Sequence, residues 1–179
     1  MTSLKMGRSP TQTLLDLSSA DPGFDYRQVG IIDKNGKVGM HTGDSCRNWA
    51  GHELGKGFAV FGNVLTSSRT VECMAKTYND AKGTEFSDRL LLALESGRDA
   101  GGQASSDGSH LPERSAALSI RGVDIVQDID LRVDMHDDAV KELRQVYKNY
   151  VPYIEYYALR ARDPQNTPAQ DVWVKEKIG

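Results

Sequence analysis

The sequence predicts an α+β fold in which antiparallel strands are covered by helices. Three observations carry that expectation. An Asn35-Gly36 pair stands between two β-rich runs and is the strongest short hairpin signal in the chain. Apolar residues recur at helical spacing in two neighbouring stretches, 71–78 and 86–97. Runs of strands are separated by helix pairs, and no Gly-x-Gly-x-x-Gly follows a strand, which favours a layered sandwich over a dinucleotide-binding fold.

Taken in order, "RSPTQTLLDLSSADP" reads as a helix. Ser9 is its N-cap, Pro10 suits the first helical position, and Gln12 closes a capping box with Ser9. Leu14, Leu15 and Leu17 are expected to form its apolar side, and Asp21-Pro22 to end it. Strands follow at about 26–33 and 37–42, joined by a tight turn. Residues 43–56 read as a glycine-rich loop. "GFAVFGNVL" is a third strand, with Phe58, Val60 and Gly62 on one face and Ala59, Phe61 and Asn63 on the other.

Val71, Met74, Ala75 and Tyr78 mark one helix, and Phe86, Leu90, Ala93, Leu94 and Gly97 the next. "AGGQASSDGSHLP" reads as a flexible loop, and "SAALSIRG" and "VQDIDLRVD" as two more strands. A long helix from Asp138 carries a stripe of Val140, Leu143, Tyr147, Tyr150, Ile154 and Tyr157, which Pro152 is expected to kink or split. The order is α-βββ-αα-ββ-α. Residues 1–163 are expected to form one domain, and 164–179 a polar, loosely attached tail apart from Val172 and Trp173.

Composition narrows the function classes. With 179 residues the chain can bury a real core. A hydrophobic share of 39% and a mean hydropathy of −0.50 argue against disorder and against a membrane protein. No run approaches the roughly 20 apolar residues of a membrane helix, and "MTSLKMGRSP" lacks the apolar core of a secretory signal. A net charge of −3 with scattered basic residues gives no track for nucleic acid. Cys46 and Cys73 are too few for a disulfide framework, so a reduced, cytoplasmic setting is expected.

"HTGDSCRNWAGH", residues 41–52, is the chemically suggestive stretch. Its spacing reproduces no zinc motif, and neither a metal nor a cofactor is expected. Cys46 is either a nucleophile served by His41 or His52, or a small buried thiol; the buried reading is favoured, because free cysteine is among the most buried residue types. Cys73, on a helix, reads as packing. Trp49 either walls a pocket or plugs the end of the sandwich. Asn63 is either a donor to a developing oxyanion or a strand-end residue tying down its turn. Asp130, Arg132, Asp134 and His136 alternate onto one side of a strand, where a solvated face is favoured over a substrate-orienting row.

Five segments then combine into a pattern: "DYRQVGIIDKNGKVGMHTG", "CRNWAGHELGKGFAVFGNVL", "LLLALESGRDAGG", "SAAL" and "DLRVDMHDD". In this order they resemble domain of unknown function 1028, a family similar to the N-terminal nucleophile (Ntn) hydrolases, from about Leu4 to the start of the last helix. The resemblance implies an αββα sandwich of antiparallel sheets. It also implies hydrolysis of amide bonds by the first residue of the mature chain, a Thr, Ser or Cys whose own α-amine, with a pKa of about 8, serves as base. Family members begin with two strands and a helix ahead of the segment matching "LKMGRSP", so the sandwich is expected to lack its first strands here. The loop "QASSDGSHLPER" is longer than the family's compact turn.

The resemblance and the residue chemistry together give the expected site. Arg27, His41, Thr42, Trp49 and His52 form a substrate-binding rim, with Asn63 as oxyanion donor; the resemblance puts the nucleophile on the family's opening strands, which this sequence lacks, and Thr2, exposed by removal of Met1, is the less favoured alternative. Arg27 would clamp a substrate carboxylate, which suits a small amide or N-acylated acid. The competing expectation is a non-catalytic assembly or regulatory subunit, a homo-oligomer that covers exposed sheet edges by association.

Overall fold

Ser9 caps the first substantial helix as its position requires. In the protein, described by a computed structural model over residues 2–47, 49–123 and 128–177, the Ser9 hydroxyl accepts from Gln12 N at 3.2 Å. Gln12 Oε1 accepts from Ser9 N at 3.0 Å. A short helix α1 (Thr2–Lys5) precedes this helix, α2 (Pro10–Ala20). The buried face of α2 is Pro10, Thr13 and Leu14, an i, i+3, i+4 set. Leu15, expected on that face, points away from it and is exposed, while Leu17 continues the stripe one turn further on and is still exposed. A single 3-10 turn, Phe24–Tyr26, then leads into the first strand.

Strands β1 (Gln28–Ile32) and β2 (Val38–Thr42) pair antiparallel in the expected place. The Asn35-Gly36 signal is real, but the loop is one residue longer than a two-residue turn. Asp33 N donates to Lys37 O at 3.0 Å and Gly36 N to Asp33 O at 2.9 Å. Gly36 sits at φ +75°, as the last position of a three-residue hairpin loop demands.

The segment expected as loop 43–56 contains a strand. β3 (Gly51–Gly55) pairs with β4 (Phe58–Gly62) across the two-residue link Lys56-Gly57. "GHELG" has weak strand propensity, and its pairing with β4 overrides that preference. Helices α3 (Arg69–Asp80) and α4 (Phe86–Asp99) follow and pack on each other. Gly97 permits the close approach, since a Cβ there would lie 2.6 Å from Met74 Cγ and Sδ. Residues 100–112, expected as a flexible loop, form a closed turn with bridges between Leu65 and Gln103 and between Ala104 and His110. Asp107 ties it together, and the hydroxyls of Ser105 and Ser109 with the Ser109 N–H hold its carboxyl well below the usual carboxylate range.

The chain divides into two compact units, 1–112 and 113–179. In the first, the contacts run in layers: α2 on the β1–β2 ribbon, that ribbon on β3–β4, and α3 on β3–β4. Leu14, Val60, Val71, Leu91 and Ala93 are buried there. The second unit pairs β5 (Ala116–Ile120) with β6 (Ile129–Val133) and packs them against α5 (Ala139–Arg162). Val126 and Gln127 of the expected strand lie outside the described residues, as do Ile178 and Gly179 of the expected tail. Asp130 and Arg132 are exposed while Ile129 and Leu131 are buried, which is the expected solvated face.

Two expectations for this unit change. α5 runs unbroken through Pro152, and its buried tyrosine beyond the proline is Tyr156 rather than Tyr157. Tyr156 lies nine residues after Tyr147, half a turn away on the helix, because it packs on Trp173 with ring centroids 5.6 Å apart. Trp173 belongs to α6 (Gln170–Lys177), so the segment expected as a polar tail carries a helix whose tryptophan is 6% exposed. The class is α+β, with three two-stranded antiparallel sheets among the described residues. Among the described residues no helix is long and apolar enough to cross a membrane.

Candidate functional site

Gln28 opens β1 and reaches across the layers with its side chain. Its Nε2 donates to Gly62 O at 2.9 Å, Gly51 O at 3.1 Å and Thr42 Oγ1 at 3.0 Å. Its Oε1 accepts from Asn63 Nδ2 at 3.2 Å. Thr42 Oγ1 in turn lies 2.9 Å from His52 Nδ1. One glutamine thus joins both hairpins and links Asn63, Thr42 and His52 into a single row. The sequence singled out the last three and missed Gln28, whose only signal was a polar amide leading an otherwise apolar strand.

Thr42 and His52 line a polar cavity of about 410 Å³ with Asp44, Cys46, Trp49, Glu53 and Ser68. Trp49 lies directly against Gly51: a Cβ there would meet the indole at 2.4 Å. The backbones of Trp49 and Leu65 exchange hydrogen bonds of 3.1 and 3.0 Å, which fix the loop that carries the ring. Trp49 therefore forms cavity wall. Ser68, at the N-terminus of α3, adds a hydroxyl from the helical layer.

Apart from Cys46, which shares this cavity, the other expected residues stand elsewhere. His41 alternates to the opposite face of β2 from Thr42. Its Nε2 donates to Phe24 O at 2.9 Å, and its ring stacks on Phe24 with centroids 4.0 Å apart. It anchors the 3-10 turn. Arg27 pairs with Asp21 at 3.0 Å at the surface. The guanidinium and the Gly23 N–H together hold the Asp21 carboxyl below its usual range. The Cys46 thiol donates to Arg27 O at 3.5 Å, so its hydrogen bond goes to backbone rather than to His41 or His52. Thr2 opens α1, and its side chain is outside the described set. His110 Nδ1 lies 2.8 Å from Gly101 O, and His136 Nδ1 accepts from Asp138 N at 3.0 Å. Among the described residues no three His, Cys, Asp or Glu side chains gather closely enough to share a metal ion.

A second cavity, of about 300 Å³, is apolar. Gly30, Ile31, Ile32 and Val38 line it from the first ribbon, Phe58, Val60 and Phe61 from β4, and Tyr78, Phe86 and Leu90 from the helices.

Compared with known proteins, residues 1–143 match the family model described as "Family of unknown function (DUF1028)". The chain belongs to the DUF1028 family. Among solved structures it is similar to protein SPO2555 from Silicibacter pomeroyi, which is assigned to DUF1028 as well. The two are 25% identical with a TM-score of 0.70, over 84% of this chain and 64% of that one. This DUF1028 chain therefore spans less than two thirds of that relative's length. No curated protein matches the sequence.

Proposed function

We propose that this DUF1028 chain is an Ntn-type hydrolase of a small amide, with the polar cavity around Thr42, Trp49 and His52 as its substrate site. The observation that carries the reading is the hydrogen-bonded row Asn63–Gln28–Thr42–His52, which ends on an imidazole in that cavity. Such a row presents fixed donors to a carbonyl, which is the largest requirement of amide hydrolysis. The layering of helix, ribbon, ribbon and helix in the first unit supports an αββα sandwich. In this reading the nucleophile is an N-terminal Thr, Ser or Cys, for which Thr2 is the candidate of this chain. Asn63 has a second amide N–H to offer an oxyanion.

The charges around the cavity refine the substrate. Asp44 and Glu53 line it, no Lys or Arg does among the described residues, and Arg27 is held by Asp21. A neutral or amino-bearing amide fits this lining better than an N-acylated acid. The test is amine or ammonia release from a panel of small amides by the purified protein. Turnover that falls at least roughly tenfold in His52→Ala, about 1.4 kcal/mol, supports the reading. Turnover of no amide, or turnover indifferent to His52, sinks it.

A second reading has its own observation. Among the described residues every sheet has two strands, so each strand has an edge with no strand paired to it, and Ile32, Leu54 and Phe61 are exposed on those strands. A self-associating assembly subunit would cover them.

A further inference from the structure

We propose that Gln28 is a positioning residue for His52: acting through Thr42, it holds the imidazole in the tautomer protonated on Nε2, so that His52 meets a ligand in the polar cavity as a hydrogen-bond donor. This deepens the amide-hydrolase reading and rests on it only for the nature of the ligand, a carbonyl-bearing molecule.

The direction of each hydrogen bond follows from chemistry. Gly51 O and Gly62 O can only accept, so the nitrogen end of the Gln28 amide must face them. The same nitrogen, whose two hydrogens the three oxygens share, is 3.0 Å from Thr42 Oγ1 and offers the threonine proton no acceptor. The single proton of Thr42 is then directed to its other neighbour, His52 Nδ1, at 2.9 Å. A proton on Nδ1 would bring two donors onto the Thr42 oxygen and leave the threonine proton without an acceptor in the row. Asn63 Nδ2 donating to Gln28 Oε1 completes a row polarised in one direction, from Asn63 to His52. With Nδ1 engaged by Thr42, Nε2 is the ring nitrogen left for a ligand, and it carries hydrogen.

The consequence for mechanism is specific. His52 polarises the carbonyl of a bound amide; it does not act as the base for a nucleophile. That separates it from the hydroxyl–imidazole pairs of other hydrolases, in which the histidine receives the proton.

Long-range proton–nitrogen correlation spectra of the nitrogen-15-labelled full chain, at about pH 8 and above the usual imidazole range, read the tautomer directly. The wild-type protein is expected to show His52 with Nδ1 bare and Nε2 protonated. Thr42→Val is expected to abolish that single-tautomer pattern, and Thr42→Ser to restore it. Gln28→Glu replaces the donor by an acceptor and is expected to move the proton to Nδ1. Should that variant fail to fold beside two carbonyls, the threonine pair decides alone. A wild-type proton on Nδ1, or a His52 pattern unmoved in Thr42→Val, overturns the proposal. Since the spectrum needs no turnover, it separates this proposal from the amidase reading. Amide hydrolysis with His52 protonated on Nδ1 would remove the positioning role and leave the hydrolase.

Discussion

At the scale of single residues, Gln28 and Gly43 decide most. Replacing Gln28 with leucine leaves the carbonyls of Gly51 and Gly62 without their side-chain donor between the two ribbons. The expected cost is about 1–3 kcal/mol, read as a lower urea midpoint with an unchanged slope. A midpoint equal to that of the wild type would show that these carbonyls are satisfied by water. Gly43 has no latitude: a Cβ there would lie 2.0 Å from Asp25 O, a backbone atom that cannot swing aside. Gly43→Ala is expected to destabilise by at least about 2 kcal/mol in the same measurement. The Arg27–Asp21 pair yields a pH dependence. The folded state holds Asp21 below its ordinary value of 3.8. Its contribution is therefore complete above 3.8 and is lost as pH falls through the lower folded value. Asp21→Asn is expected to lose stability near neutrality and to converge with the wild type in acid, which thermal melts between about pH 7 and pH 2 would show. Thr42, Trp49, His52 and Asn63 were legible because polar and aromatic side chains stood out among glycines. Gln28 was not, because its partners lie 14, 23 and 34 residues away along the chain.

At the scale of elements, local chemistry was the readable part. The capping box of α2 and the glycine of the first hairpin fall within one helical turn or one hairpin, and the apolar periods of α3 and α4 within one helix each; the structure has both helices, though in α4 Leu91 is buried where Phe86 was expected. Two elements escaped. β3 has glycine at two of its five positions, Gly51 and Gly55, and Gly57 lies just beyond, so only its partner β4 makes it a strand. α6 was hidden by polar composition, and Trp173 folds it against Tyr156. Pro152 is the element-level anomaly, since it interrupts the hydrogen-bond ladder of a 24-residue helix that nonetheless continues. Pro152→Ala restores a donor and is expected to stabilise the second unit by about 1–3 kcal/mol. Calorimetry of the whole chain checks it. A lowered melting temperature would mean that the half-buried ring packs better than the restored hydrogen bond.

At the scale of the whole molecule, the question is what completes sheets of two strands each. A lone hairpin is marginal in water; here each ribbon of the first unit gains its stability by stacking on the other and on a helix. That leaves strand edges, and on them Ile32 at 53% and Phe61 at 44% exposure flank the apolar cavity. Phe61 stands directly opposite His52 in the β3–β4 ladder, whereas Ile32 pairs with Val38, away from the row that ends at His52, so Ile32 is where the two readings of this DUF1028 protein can be tested separately. Lysine at an edge blocks strand addition through charge while leaving the backbone ladder within the ribbon intact. The assembly reading requires the wild-type protein to sediment above its 19.7 kDa chain mass and the Ile32→Lys variant to sediment as one chain. The hydrolase reading requires that amide turnover per chain survive the same substitution. A wild-type protein of one-chain mass at every concentration removes the assembly reading. Turnover lost together with association would instead make the site dependent on the neighbouring copy, and would move the search for the nucleophile to the edge that the copies share.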